Sequence, residues 1–146
     1  MKVAQVMRKI VVIIPEEAFV TEASKNMREK QQPCAIVLKN QIPFRIITER
    51  DIAWKVVANS LDPKTVKIKD IISTPLIVID PDADLIEAAS LMKDHKIRRL
   101  TVVRANTLLG VITAGDIMRN LSNYVEKEVQ DVLRYLWVPK YYPEVM

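Results

Sequence analysis

The sequence predicts an α+β protein made of two copies of one β-α-β-β-α unit, followed by a further helix. Three observations predict it. First, a turn motif occurs twice: Ile46-Ile47-Thr48-Glu49-Arg50-Asp51-Ile52 and Val111-Ile112-Thr113-Ala114-Gly115-Asp116-Ile117 correspond at an offset of 65 residues. Second, the same offset carries Glu22-Ala23 onto Glu87-Ala88, Met27 onto Met92 and Val37 onto Val102. Third, β-branched runs and helically spaced apolar residues alternate in the same order in both copies. One such unit has a sheet face too small to be covered alone. Two related by a pseudo-twofold axis would bury each other's sheets.

Each copy opens on a short amphipathic piece, Val3, Val6 and Met7 in the first and Ile68, Ile71 and Ile72 in the second. A β-branched run follows, Ile10 to Ile14 and Leu76 to Ile79, with Pro15 and Pro81 ending the strands. Helices come next, carried by Phe19, Ala23 and Met27 and by Leu85, Ala88, Ala89 and Met92. The two methionines read as core filler. Two strands are then predicted in each copy: Ala35 to Leu38 and Ile42 to Thr48, then Leu100 to Val103 and Leu108 to Thr113. Closing helices start at Thr48 and Thr113. The copies span residues 1–58 and 68–122, joined by a linker at 59–67 around Asp62-Pro63. In 123–146, Val125, Val129, Val132, Leu133 and Leu136 make an apolar stripe on an extra helix that Pro139 stops. Tyr141, Tyr142 and Pro143 then read as an extended tail.

Composition narrows the function classes. The 146 residues carry a net charge of +4, which suits an anionic ligand and is too weak to indicate nucleic acid. Cys34 is the single cysteine, so no internal disulfide forms and a reducing compartment, the cytoplasm, is expected. No apolar run approaches ~18 residues, and Met1-Lys2-Val3-Ala4-Gln5 lacks a signal-peptide pattern, so no membrane partner is expected. The two glycines, Gly110 and Gly115, both fall in the second motif, and there is no Gly-rich phosphate loop. With one histidine, His95, and one cysteine, a zinc site or a Cys–His nucleophile has little footing. His95 reads as a helix-end residue. The carboxylates are spread over helix faces rather than paired in an apolar pocket, so neither a catalytic residue nor a metal ligand is assigned.

The repeated turn is where chemistry concentrates. A buried strand that opens directly into a helix leaves free N–H groups and the positive end of the helix dipole, a site for an anion. Thr113 adds a hydroxyl. Asp116, three residues on, supplies the paired acceptors a sugar cis-diol needs. Thr-x-x-Asp is equally a capping box, and a single occurrence would be read as one. The repetition favours a binding role.

These residues resemble a tandem CBS domain pair. The resemblance rests on a strand ending in Pro, Glu-Ala-x3-Met, an apolar strand, and a hydrophobic pair followed by Thr-x-x-Asp, all present twice between Val3 and Leu121. It implies a non-catalytic regulatory module that binds an adenosine-containing ligand in clefts between the repeats. That ligand is an adenine nucleotide (AMP, ADP or ATP), with S-adenosylmethionine or NAD in some members, and no obligatory cofactor. In such pairs Thr meets phosphate, Asp holds the ribose, apolar residues sandwich the base, and a basic residue ahead of a strand neutralises phosphate. Carried onto this sequence, one cleft would use Thr113, Asp116, Val111 and Arg98 with Ile10, Val12, Pro33 and Cys34. The other would use Thr48, Asp51, Ile46, Thr74, Leu76 and Arg99. The resemblance also implies a homodimer and a protein effector of unknown identity.

The copies differ. Arg45 stands where the second copy has Gly110, and Gln32-Pro33 where it has Ile97-Arg98. A glycine there would admit a ligand or a backbone at close range. The first copy therefore has less phosphate-neutralising charge, and the Thr113/Asp116 site is expected to be the stronger. The competing expectation is an interaction or nucleic-acid-binding CBS protein with vestigial clefts, which a steep salt dependence of DNA or RNA affinity would reveal.

Overall fold

The computed structural model describes residues 1–72 and 75–121; Thr74 and the 123–146 helix and tail lie outside the described residues. The chain divides into two compact units. One holds Ile10–Ile77 with Ala105–Thr107. The other holds Met1–Lys9, Val78–Arg104 and the chain from Leu108 onward.

The first unit carries a three-stranded sheet in the order β1-β2-β3, with β1 at Ile13–Pro15, β2 at Cys34–Lys39 and β3 at Ile42–Thr48. β1 runs parallel to β2, and β2 runs antiparallel to β3 in a register that sets Cys34 opposite Thr48 and Ile36 opposite Ile46. Helix α2, Val20–Lys30, buries Val20, Ala23 and Met27. These join Val12, Ile14, Val37, Ile47, Val56 and Ile68 in one core. Phe19 was expected on the helix's buried face. It instead precedes the helix and is 37% exposed, and Val20 takes the buried position. The equivalent residue in the second copy, Asp84, shows why: it is the N-cap of α4 and its carboxylate accepts the Glu87 N–H at 2.8 Å. The linker is well tied. Val66 and Pro63 carbonyls accept the Val20 and Thr21 amides, and a short 3₁₀ turn, Ile68–Asp70, buries Ile68.

The second unit repeats the plan with β4 at Val78–Ile79, β5 at Arg99–Arg104 and β6 at Thr107–Thr113, in the order β4-β5-β6. Helix α4, Leu85–His95, buries Leu85, Ala88 and Met92. The turn chemistry is duplicated without glycine. Gln31 and Lys96 end α2 and α4 in the left-handed region, and Asn40-Gln41 and Ala105-Asn106 close the hairpins with positive φ at both residues.

The N-terminal piece belongs to the second copy, an exchange the sequence order does not reveal. Helix α1, Val3–Val6, sits where the Val3 and Ala4 amides donate to the Ala83 and Pro81 carbonyls at 2.8 and 2.9 Å. Arg8 then bridges antiparallel to Val111, with reciprocal amide–carbonyl bonds of 2.8 and 2.9 Å. Gly110 permits this approach. A Cβ there would lie 2.3 Å from the Arg8 carbonyl oxygen. In the first unit the residue at the Gly110 position, Arg45, bridges Pro75, which has no N–H.

Candidate functional site

Each Thr-x-x-Asp turn forms where an apolar strand passes directly into a helix. In the second unit β6 ends at Thr113 and α5, Ala114–Leu121, begins. Thr113 Oγ1 accepts the Asp116 amide at 3.0 Å, and Asp116 Oδ2 accepts the Thr113 amide at 3.0 Å. The turn is thus a reciprocal cap. It is also buried, with Thr113 1% and Asp116 3% exposed. The other carboxylate oxygen, Oδ1, accepts Arg8 Nε at 2.9 Å and also Arg119 Nη2. The Arg98 carbonyl accepts the Ala114 amide at 2.8 Å, fixing a third arginine's backbone at the helix start.

In the first unit β3 ends at Thr48 and α3 starts with Glu49–Asp51, continuing as a π-helical stretch, Ile52–Val57. The cap is the same: Thr48 Oγ1 accepts the Asp51 amide at 3.2 Å, and Asp51 Oδ2 accepts the Thr48 amide at 2.9 Å. The surroundings differ. Asp51 Oδ1 pairs with Lys55 Nζ at 3.2 Å, with side-chain exposures of 13% and 35%, and that ammonium also donates to the Ile71 carbonyl at 3.0 Å. Pro33 supplies the carbonyl that accepts the Glu49 amide at 3.0 Å, the place Arg98 holds in the second unit.

The predicted site residues thus fall into two sets. Val111, Thr113, Asp116, Arg98 and Arg99 lie in the second unit. Ile10, Val12, Pro33, Cys34, Ile46, Thr48, Asp51 and Leu76 lie in the first. Within the second unit, Val111 and Thr113 share β6, Arg99 opens β5, and Arg98 is exposed beside the α5 start. Arg99 Nε is buried with no hydrogen-bond partner among the described residues. Within the first, Pro33 and Cys34 are buried next to Thr48, Val12 is buried, and Ile10 is 65% exposed.

Sequence reasoning missed the cations that hold the two carboxylates. Lys55 is four residues from Asp51 and Arg119 three from Asp116, spacings that bring side chains together on a helix. Arg8 gave no such signal, because 108 residues separate it from Asp116.

Among the described residues, no group of three or more His, Cys, Asp or Glu side chains could hold a metal, and no helix is long and apolar enough to cross a membrane.

Two three-stranded sheets with helices, each ending in the same strand-to-helix turn, define a tandem α+β repeat protein. The chain belongs to the CBS domain family, which it matches twice, over residues 3–58 and 68–123. It is 37% identical over 113 residues to an uncharacterised protein of Methanopyrus kandleri, covering 77% of this chain and 58% of that one. It is 29% identical to the mitochondrial CBS domain-containing protein CBSX3 of Arabidopsis thaliana, covering 80% and 59%. The chain therefore spans less than two thirds of the length of both relatives. Among solved structures, a hexameric CBS-CP12 protein from bloom-forming cyanobacteria superposes with a TM-score of 0.75 at 32% identity, covering 92% of this chain and 81% of that one.

Proposed function

We propose that this CBS-domain pair is a non-catalytic regulatory module that binds an adenosine-containing ligand of the AMP, ADP or ATP class, held chiefly at the Thr113–Asp116 turn. The observation that carries the reading is the buried Thr113–Asp116 turn with arginines gathered at its carboxylate. One buried carboxylate receives two arginine side chains, and a third arginine's carbonyl caps the same helix start. In the same unit Arg99 Nε is buried with no hydrogen-bond partner among the described residues. An anionic ligand with a diol matches both parts, since a carboxylate accepts from sugar hydroxyls and guanidinium forks onto phosphate. The Asp51 turn, with a single lysine and Pro33 in the arginine's place, is the weaker site.

A ligand bound there can act only through its different affinity for two arrangements of the protein, which an effector protein then reads. Self-association completes the proposal. Trp54 and Val57, 66% and 68% exposed on the helix after the Asp51 turn, are suited to a homodimer contact. The test is calorimetric titration with AMP, ADP, ATP and S-adenosylmethionine of the wild type and Asp116→Ala. The reading predicts a loss of about tenfold or more in nucleotide affinity for the variant, the worth of a charge-assisted hydrogen bond to a diol. Unchanged affinity in a folded variant contradicts it.

A further inference from the structure

We propose that the β2–β3 hairpin of the first unit is a docking surface for an acidic segment of a partner protein, received by Lys39 and Arg45 around the ring of Phe44. The hairpin tip lies at the opposite end of β3 from Thr48. The proposal does not depend on nucleotide binding.

An irregularity in the sheet builds the cluster. β2 and β3 pair Val37 with Arg45 but Leu38 with Pro43, so Phe44 is an extra residue in β3. In a regular strand Phe44 and Arg45 would point to opposite faces. A bulge re-aims side chains. Here the Arg45 guanidinium carbon lies 5.1 Å from the centre of the Phe44 ring. Arg45 Nη1 also donates to the Phe44 carbonyl at 3.2 Å. Lys39, the last residue of β2, brings its ammonium to 5.7 Å from the same ring centre. Phe44 is packed against the core of the first unit, so the ring is a fixed mount for two cations.

That charge is left open. Among the described residues neither Lys39 nor Arg45 forms an ion pair. The second unit treats the matching position differently. Arg104, 65 residues beyond Lys39, pairs with Asp80 at 3.2 Å and also with Asp82. Leu109 and Gly110 stand there in place of Phe44 and Arg45. One hairpin is neutralised within its own unit, and the other gathers two cations at one ring. Carboxylates of an incoming chain supply the missing counter-charge. Ile42, 46% exposed at the start of β3, offers that chain an apolar contact. Pro43 has no N–H for an added strand, so the chain is met by side chains. Nucleic acid is the poorer match. Base stacking needs an open ring face, and this half-buried ring already carries two cations. Two cations are also a short track for a phosphate backbone.

The experiment measures fluorescence anisotropy of a short labelled peptide of alternating Glu and Leu, titrated with the full chain. The wild type binds it, and added salt weakens the binding. Lys39→Glu/Arg45→Glu weakens it by about tenfold or more, and Lys39→Glu, at an exposed position that leaves folding intact, by about threefold. Lys25→Glu/Lys93→Glu makes the same change in net charge on exposed faces of α2 and α4, and stays within about twofold of the wild type. Failure of the wild type to bind the peptide overturns the proposal. So does an equal loss in the Lys25/Lys93 variant, which would show a response to overall charge alone. Parallel titrations use a single-stranded oligonucleotide and phosphatidylserine vesicles. If either binds through Lys39 and Arg45 and the peptide does not, the acidic protein segment is the wrong occupant.

Discussion

The two Thr-x-x-Asp turns have the same backbone and different electrostatics. Both are reciprocal caps at a strand-to-helix junction, with cap bonds between 2.9 and 3.2 Å. At Asp51 the carboxylate is 13% exposed and meets one lysine from its own helix. At Asp116 it is 4% exposed and meets two arginines, one from its own helix and one from the far N-terminus. The first arrangement is a helix cap with a local ion pair. The second sets two arginines against one buried carboxylate, in a setting where charge is felt strongly. Duplication supplied the fold twice; a handful of side chains gave the two turns different charge partners.

The glycine substitution breaks the comparison most severely. Gly110→Ala places a Cβ 2.3 Å from the Arg8 carbonyl oxygen. It is expected to destabilise the protein by about 3 kcal/mol in denaturant unfolding, because backbone rather than a flexible side chain must move. Arg45→Gly, at the matching position, is expected to cost about 1 kcal/mol or less. Equal losses would mean that the two edges are packed alike.

Removing each carboxylate gives a smaller contrast. Asp116→Ala strips a cap and removes the buried carboxylate that two arginines share, an expected loss of about 2–4 kcal/mol. Asp51→Ala loses a cap and one lysine pair, about 1 kcal/mol. Thermal unfolding of the two variants in parallel measures the difference, and a larger loss for Asp51→Ala would reverse the ranking.

The smallest effect concerns what the units share. Each has an exposed carboxylate held below the usual carboxylate range. Glu17 is lowered by hydrogen bonds from Lys69 and Lys67, and Asp80 by the Asp82 amide and then Arg104. A carboxyl depressed in the folded state stabilises above its unfolded value, and that stabilisation is lost as pH falls through the folded one. A slight drop in Tm is therefore expected as pH falls below the usual carboxylate range. Glu17→Gln and Asp80→Asn should each remove a similar part of it, since both groups are exposed.

Most of the architecture was legible because it was written twice. The 65-residue offset located both turns, and the strand β3 matched its expected span of Ile42 to Thr48. Helix starts were less legible: Phe19 sits at apolar spacing, but the capping position falls there, as Asp84 shows in the other copy. The exchange of the N-terminal piece onto the second copy left no periodic signal, since it depends on the long-range pairing of Arg8 with Val111. Gly110 was the one hint, a residue that admits a close backbone. The candidate site was readable in its motif residues, Thr113 and Asp116, and unreadable in its charge partner, because a pair so far apart in sequence is created only by folding.

The most direct measurement is AMP titration of Asp116→Asn and Asp51→Asn, side by side with the wild type and with folding verified by circular dichroism. The account predicts that Asp116→Asn weakens AMP binding by about tenfold or more and that Asp51→Asn stays within about twofold of the wild type. An equal loss in both variants, or a loss confined to Asp51→Asn, would contradict it.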